Sequence, residues 1–280
     1  MEALPYLQRF QGATVVLKYG GSFMDSPDPA GRLNVARDIV FLAAAGMRTV
    51  VVHGGGKAIT AALARSGVAA KFQQGMRVTD EEAVTIVEKV LSQEINPEIV
   101  KTINSLGGKA KGFSGTNIFA ARKLQLIGPE GERLELGFVG DVTDVNTQPL
   151  RDCFMAGIIP VISPTATGPG GQIYNCNADV AAGVTAAALK ADRLVYMSDV
   201  PGLLRDPKDP KSLISRLFAN EVEGLKRSGV IDKGMIPKVD SAVAAAQAGV
   251  KKVSFVDGRV PHAALFEIFS TEPVGTEIML

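Results

Sequence analysis

Two lysines, one aspartate and two glycine turns hold most of the chemistry this sequence offers. Lys18 leaves the apolar run Val15–Leu17 and is followed by Gly20 and Gly21. Gly54, Gly55 and Gly56 follow the β-branched run Thr49–Val52. Glycine at such places lets the backbone turn sharply and approach a ligand closely. A helix predicted from about Lys57 aims its free N–H groups and positive dipole end back at the turn, which suits a phosphate. One glycine turn is equally a plain strand-to-helix connection. A second, carrying a lysine, favours a polyphosphate held between the two. Asp179 opens one alanine-rich helix and Lys238 stands near the start of another. Lysines, glycine amides and an aspartate neutralise and orient charge with little covalent work, as phosphoryl transfer requires.

The elements that must position these residues alternate. Strands are predicted at Thr14–Leu17, Thr49–Val52, Ile158–Ile162, Leu194–Met197 and Val253–Val256. Helices are predicted at Leu33–Ala45, from Lys57 to Gly67, from a capping box of Thr79 and Glu82, and at about Pro97–Leu106. Further helices follow at Leu150–Ala156, Val180–Leu189, Glu221–Ser228, Pro237–Ala248 and Ala263–Phe269. Phe113–Leu126 and Leu134–Val139 read as strands of a hairpin turning at 128–131, laid on or beside the main sheet. Alternation of this kind means an α/β fold, a mostly parallel central sheet between two helical layers. The stretch Ser163–Gly171, rich in Pro, Gly and Thr, marks the boundary between two lobes, 1–170 and 171–280. Ligands of open parallel sheets bind off the carboxyl ends of the strands. All the residues above lie just after a strand or at a helix start.

The 280 residues are 46% hydrophobic and 21% charged, an ordinary globular balance. A net charge of +1 gives no basic field for nucleic acid. Apolar runs are too short or interrupted to span a bilayer, and MEALPYLQRF lacks the pattern of a signal peptide. Cys153 and Cys176 are isolated, which fits a reducing cytoplasm and gives no metal-ligand spacing. The two histidines, His53 and His262, make no His-rich metal site, and His53 reads as a packed residue orienting its turn. The Walker A motif, the protein-kinase motifs and the dinucleotide fingerprint are all absent from the sequence.

Seven motifs in order carry a resemblance: KYGG at 18–21, VHGGG at 52–56, GMRVT at 75–79, NCNAD at 175–179, SDVPG at 198–202, GMIPK at 234–238 and DGRVPH at 257–262. The sequence resembles the amino acid kinase family nearly end to end, in particular its members that act on N-acetylated glutamate. The resemblance implies a three-layer α/β/α fold, the N-terminal lobe binding an acyl amino acid and forming a homodimer, the C-terminal lobe binding ATP. It implies ATP-dependent phosphorylation of the side-chain carboxylate of N-acetyl-L-glutamate, the second step of the acetylated route to arginine. Magnesium is then held by ATP rather than by protein side chains. By the same resemblance Lys18, Lys238 and Asp179 are catalytic, the lysines flanking the transferred group and Asp179 holding them. Gly54, Gly55, Gly56, Arg77, Asn175 and Asn177 bind the acceptor, Arg77 by its two-point grip on a carboxylate. Gly20, Gly21, Asp199, Val200, Pro201, Gly202, Leu203, Leu204, Gly234 and Met235 border the nucleotide. Tyr6, His262 and Glu272 border a feedback site for arginine, with a homohexamer as the alternative assembly. Partnership with the PII signalling protein, found for some relatives, is a further implication.

Taken alone, Arg77 also fits a salt-bridge partner, Asp179 a helix-start charge, and Asn175 and Asn177 turn formers. Ser22, Phe23 and Lys57 depart from the family's usual residues, which bears on the fine specificity. Two alternatives stand beside the main reading. One is a kinase of an acylated or carrier-linked aminoadipate, since one methylene changes binding little. The other is a non-catalytic regulatory protein that binds nucleotide or arginine.

Overall fold

A computed structural model describes residues 8, 10–20, 29–128, 131–232 and 234–280. In chain order the elements are β1 (Thr14–Tyr19), α1 (Pro29–Ala44), β2 (Arg48–His53), α2 (Gly56–Arg65), β3 (Lys71–Gln73), β4 (Met76–Val78), α3 (Glu81–Glu88), α4 (Asn96–Ser105), β5 (Ala110–Phe113), β6 (Phe119–Lys123), β7 (Leu126–Ile127), β8 (Arg133–Leu134) and β9 (Val139–Val145). Then come α5 (Gln148–Met155), β10 (Ile159–Ile162), β11 (Thr165–Thr167), β12 (Ile173–Cys176), α6 (Ala178–Leu189), β13 (Arg193–Ser198), β14 (Arg216–Phe218), α7 (Val222–Arg227), α8 (Ile236–Gln247), β15 (Val253–Asp257), α9 (Ala263–Phe269) and β16 (Thr276–Met279).

An eight-stranded sheet in the order β14-β16-β15-β13-β1-β2-β10-β5 runs through the molecule. β1, β2, β5, β10, β13 and β15 are mutually parallel, while β16 runs antiparallel to β15 and β14 pairs parallel with β16. Both faces are buried, and the alternation of side chains sets the two cores. Val16, Val50 and Val52 point into one, with Ala181, Ala182 and Ala186 of α6 and Val239, Ala242 and Ala245 of α8. Val15, Leu17 and Val51 point into the other, with Ile39 and Leu42 of α1, Ile103 of α4 and Ala264 and Ile268 of α9. β-branched strands buried on both sides between helical layers are what a parallel sheet requires. The α/β architecture expected from the sequence is the one observed.

Several local expectations need correction. The capping box of Thr79 and Glu82 does not form. Asp80 is the N-cap, its Oδ1 accepting from the Ala83 N–H at 2.8 Å, and the Thr79 hydroxyl instead donates to the Arg77 carbonyl at 2.9 Å. The two helices expected after it are one continuous run, because a π-helical segment, Lys89–Ile95, joins α3 to α4. The strand expected over Phe113–Leu126 is broken by a 3-10 turn, Gly115–Asn117, which Ser114 caps by accepting from the Thr116 N–H. Its later part, β6, closes a four-stranded barrel with β9, β11 and β12, while β7 and β8 form the hairpin. Apart from these corrections, residues 170 and 171, which flank the expected lobe boundary, lie in the turn between the paired strands β11 and β12. β14, at the edge of the sheet, and β16, between β14 and β15, are short strands that sequence patterning missed. Among the described residues no helix is long and apolar enough to cross a membrane.

Candidate active site

The sheet's strand order leaves in opposite directions from β1, toward β2 on one side and β13 on the other. Such a switch point opens a crevice at the carboxyl ends of the strands. Lys18, in register with Tyr196 of β13, comes from the end of β1. Asp179 occupies the first turn of α6 and Lys238 the first turn of α8. The three meet: Asp179 Oδ1 is 2.9 Å from Lys18 Nζ, and Asp179 Oδ2 is 3.0 Å from Lys238 Nζ. The Lys238 contact is a hydrogen bond. The Lys18 contact is an ion pair without that alignment, so Oδ1 keeps acceptor capacity. Lys18 bends back over Gly20, where a Cβ would lie 2.6 Å from its Nζ. Glycine at 20 is thus a condition for the ion pair.

Burial pulls the Lys18 pKa down; Asp179 holds it up and Lys238 pushes it down again. Burial alone raises the Asp179 carboxyl, but the two ammonium groups outweigh it and hold the group below the usual carboxylate range. One anion therefore serves two cations, and the cluster is net positive.

A cavity of about 410 Å³ lies over this cluster, lined among others by Lys18, Asp179, Arg77, Asn175, Asp199 and the glycine turn Gly54–Gly56. Arg77 is carried by the β3–β4 hairpin, whose turn residues Gln74 and Gly75 have φ of 47° and 78°. Two successive positive φ values are the geometry of a tight two-residue hairpin. Its guanidinium is held by donation from Nη2 to Gly56 O at 2.9 Å and Thr60 Oγ1 at 2.8 Å, and sits over the Phe72 ring at 4.7 Å. Nη1 is buried and has no partner among the described residues. A buried donor of that kind is costly unless a ligand meets it. Asn175 Nδ2 donates to Thr79 Oγ1 at 3.2 Å, tying β12 to the hairpin that carries Arg77.

Other expected residues differ in what they offer. The Gly54 N–H is bonded to Tyr19 O at 2.7 Å, so it cannot donate to a ligand; Gly55 and Gly56 face the cavity. Asn177 lines the cavity, but its Oδ1 caps α6, accepting from Asp179 N and Val180 N. Gly234 and Met235 both give their N–H groups to Asp232 Oδ1 at 3.0 Å, so these amides are not free for a nucleotide. Leu203 is 2% exposed, with its side chain in the core, and its N–H is held by Thr276 Oγ1. Gly202 has a φ of 147° and presses on Thr276, and Leu204 bridges to Leu213. Val200 and Pro201 form the turn after β13, where the Ser198 hydroxyl donates to Val200 O. Gly21 and Tyr6, and the departures Ser22 and Phe23, lie outside the described residues. His262 Nδ1 is 2.6 Å from Asp38 Oδ1, and Glu272 pairs with Arg216 at 3.0 Å, both away from the cavity lining.

Thr60 and Asn96 support the site but were not singled out from sequence, and Thr79, which also supports it, was read there as a helix cap. Nothing marks a threonine on a helix as a guanidinium partner until a hairpin brings Arg77 over it. No group of three or more His, Cys, Asp or Glu stands ready for a metal ion among the described residues. The donor set fits a polyphosphate instead: two ammonium groups, the free start of α2 and a glycine-lined wall.

Comparison with known proteins agrees in scope. The sequence model of the amino acid kinase family matches residues 13–257. Acetylglutamate kinase of Synechococcus elongatus is 46% identical over 278 residues, covering 99% of this chain and 90% of that protein. That of Pelotomaculum thermopropionicum is 47% identical over 284 residues, covering 99% and 96%. Among solved structures, N-acetylglutamate synthase from Neisseria gonorrhoeae, complexed with coenzyme A and N-acetyl-glutamate, superposes with a TM-score of 0.84 at 25% identity. The match takes in 100% of this chain, which spans 62% of the synthase's length. Carbamate kinase from Giardia lamblia, bound to AMP-PNP, has the same fold, with a TM-score of 0.66 at 18% identity over 96% of this chain and 98% of that one.

Proposed function

The chain belongs to the amino acid kinase family, and from that premise we propose that it is an acetylglutamate kinase, moving the γ-phosphoryl group of ATP to the side-chain carboxylate of N-acetyl-L-glutamate. The observation that carries the reading is Asp179 holding Lys18 and Lys238 on its two oxygens at the floor of a glycine-walled cavity.

The chemistry follows from the charges. A glutamate side chain has a pKa of about 4.3, so the nucleophile is ionised at neutral pH and needs no general base. The obstacle is bringing a carboxylate up to a polyphosphate. Lys18 and Lys238 offset that repulsion and stabilise charge developing on the transferred group. Asp179 keeps both ammonium groups aimed, and its depressed pKa keeps it ionised while doing so. The Gly55 and Gly56 amides, at the start of α2, donate to the acceptor carboxylate. Arg77, with Nη1 unpaired, and Asn175 grip the acceptor's α-carboxylate end. Asp199 borders the nucleotide side. ATP when bound supplies the phosphoryl group, with magnesium carried on its phosphates. In this reading residues 1–170 form the acceptor lobe and 171–280 the nucleotide lobe. The assembly is a homodimer, with a homohexamer as the arginine-sensitive alternative; light scattering with and without arginine separates them.

The deciding experiment is ADP release with N-acetyl-L-glutamate set against glutamate, N-acetyl-aspartate and N-acetyl-aminoadipate. Preference for the first is expected. Preference for N-acetyl-aminoadipate would move the assignment to a lysine-route kinase, and no turnover with any acceptor would leave a binding protein.

A further inference from the structure

We infer that Asn96 and His53 form a positioning pair that locks the Gly54–Gly55 peptide with its N–H turned to the cavity, as a donor to the reacting anions. The inference rests on the phosphoryl-transfer reading above.

The contacts start behind the glycine turn. Asn96 opens α4 directly after the π-helical segment and is 3% exposed. Its Nδ2 donates to Val161 O at 3.0 Å and lies 3.1 Å from His53 Nε2. An amide nitrogen brings two hydrogens and no acceptor. With one hydrogen on the β10 carbonyl and the other on the ring, Nε2 must be the acceptor. Flipping the amide would set Oδ1 against Val161 O, acceptor against acceptor, so the β10 carbonyl decides the orientation. The ring proton therefore sits on Nδ1, which donates to Gly54 O at 2.9 Å. His53 is fully buried, and burial lowers its pKa to about 4, so the neutral ring keeps this tautomer at ordinary pH.

The carbonyl of residue 54 and the N–H of residue 55 belong to one trans peptide and point in opposite directions. Tying the carbonyl to the buried imidazole turns the N–H the other way, to the side on which Gly54–Gly56 line the cavity. No group among the described residues accepts from the Gly55 N–H. A peptide between glycines has little steric preference of its own, so the imidazole sets its plane. The surroundings are fitted to this arrangement. A Cβ at Gly112 would lie 2.1 Å from Asn96 Oδ1, and one at Gly55 would lie 2.5 Å from Ile95 Cδ1 and 2.7 Å from Leu91 Cδ2. Leu91 and Ile95, both in the π-helical segment, back the turn that Asn96 and His53 orient.

Four variants and one spectrum test this. Asn96→Asp keeps the shape but offers Nε2 only an acceptor, so the ring proton moves to Nε2 and Nδ1 loses its hold on Gly54 O. The kcat is expected to fall about a hundredfold, the loss typical of one transition-state donor, in a chain that is still folded by circular dichroism. Asn96→Ser, which can still donate, should lose less. His53→Asn keeps a donor where Nδ1 lies and should stay within about tenfold of wild type, whereas His53→Leu should lose about a hundredfold. Nitrogen-15 spectra of the unaltered protein, which has two histidines, should show His53 protonated at Nδ1 and bare at Nε2. An Nε2-protonated His53 overturns the inference whether or not any variant folds. Equal kcat in His53→Asn and His53→Leu overturns it too. If the unaltered protein releases no ADP with N-acetyl-L-glutamate, the functional reading fails instead, while the tautomer measurement stands.

Discussion

Two buried lysines in separate parts of the molecule lean on carboxylates, with opposite charge balance. Around Asp179 one anion faces two cations, Lys18 and Lys238. Around Lys252 one cation faces two anions, Glu267 at 3.0 Å and Glu277 at 3.5 Å. The second cluster is closed. Ser254 Oγ donates to Glu267 Oε1 at 2.7 Å and the Val274 N–H to Oε2 at 2.8 Å, so α9, β15 and β16 are tied with each Glu267 oxygen engaged. The first is left incomplete, with acceptor capacity on Asp179 Oδ1 and an unpaired Arg77 Nη1 in the wall above. A buried ion pair alone says little about stability or function. The sign of the remainder and the groups left unpaired distinguish a clamp from a site.

The largest effect should come from Lys18→Ala or Lys238→Ala. Either is expected to lower kcat about a thousandfold or more, the scale of a cation on a transferring phosphoryl group, with the melting temperature little changed. Activity that survives both changes would erase the contrast. Glu267→Gln should do the reverse. It is expected to cost about 3 kcal/mol in urea unfolding, as breaking a buried pair does, and to leave kcat per folded molecule unchanged. A folded Glu267→Gln protein without turnover would make the clamp part of the machinery.

His53 sharpens the comparison as a buried group that stays neutral. Its pKa falls from 6.5 to about 4 on folding. Between those values the unfolded chain binds a proton that the folded chain refuses, so stability falls as pH drops through that window, by up to about 3 kcal/mol. Urea unfolding at pH 7 and pH 4.5, beside His53→Asn, measures it; equal falls in the two proteins would refute the assignment. Last, Gly20→Ala places a Cβ 2.6 Å from Lys18 Nζ. The flexible lysine yields, so a loss of about a hundredfold in kcat is expected for a misplaced group, with no matching loss of stability.

Much of this was legible from local signals. Lys18 stands out because an apolar strand delivers it, and Asp179 and Lys238 because each starts an alanine-rich helix. Their meeting on one carboxylate depends on α6, which crosses β1, packing side by side with α8, which lies against β15 and β16; no single stretch of sequence reveals this. The cap at residue 80 was missed because Thr79 and Asp80 are both competent, and the hairpin claims the threonine hydroxyl. Gly54 and Gly55 look alike in sequence; Tyr19 takes the amide of one and leaves the other. Leu203 reads as part of a loop motif but is drawn into the core, because Gly202 turns the chain against Thr276. Strands of three and four residues, as β14 and β16 are, carry too little periodicity to read.

At the seam of β1 and β13 the two halves of the sheet meet on a single strand pair. Every sheet strand to one side comes from 14–162 in the chain, and every one to the other side from 193–279. Genes of related enzymes therefore have a natural crossover window between Cys176 and Arg193, past the barrel strands β11 and β12 that pair with β6 and β9. A hybrid joined there inherits each half-sheet whole. It has one register to rebuild, from Val15 opposite Arg193 to Tyr19 opposite Met197, before its ammonium groups can again share a carboxylate.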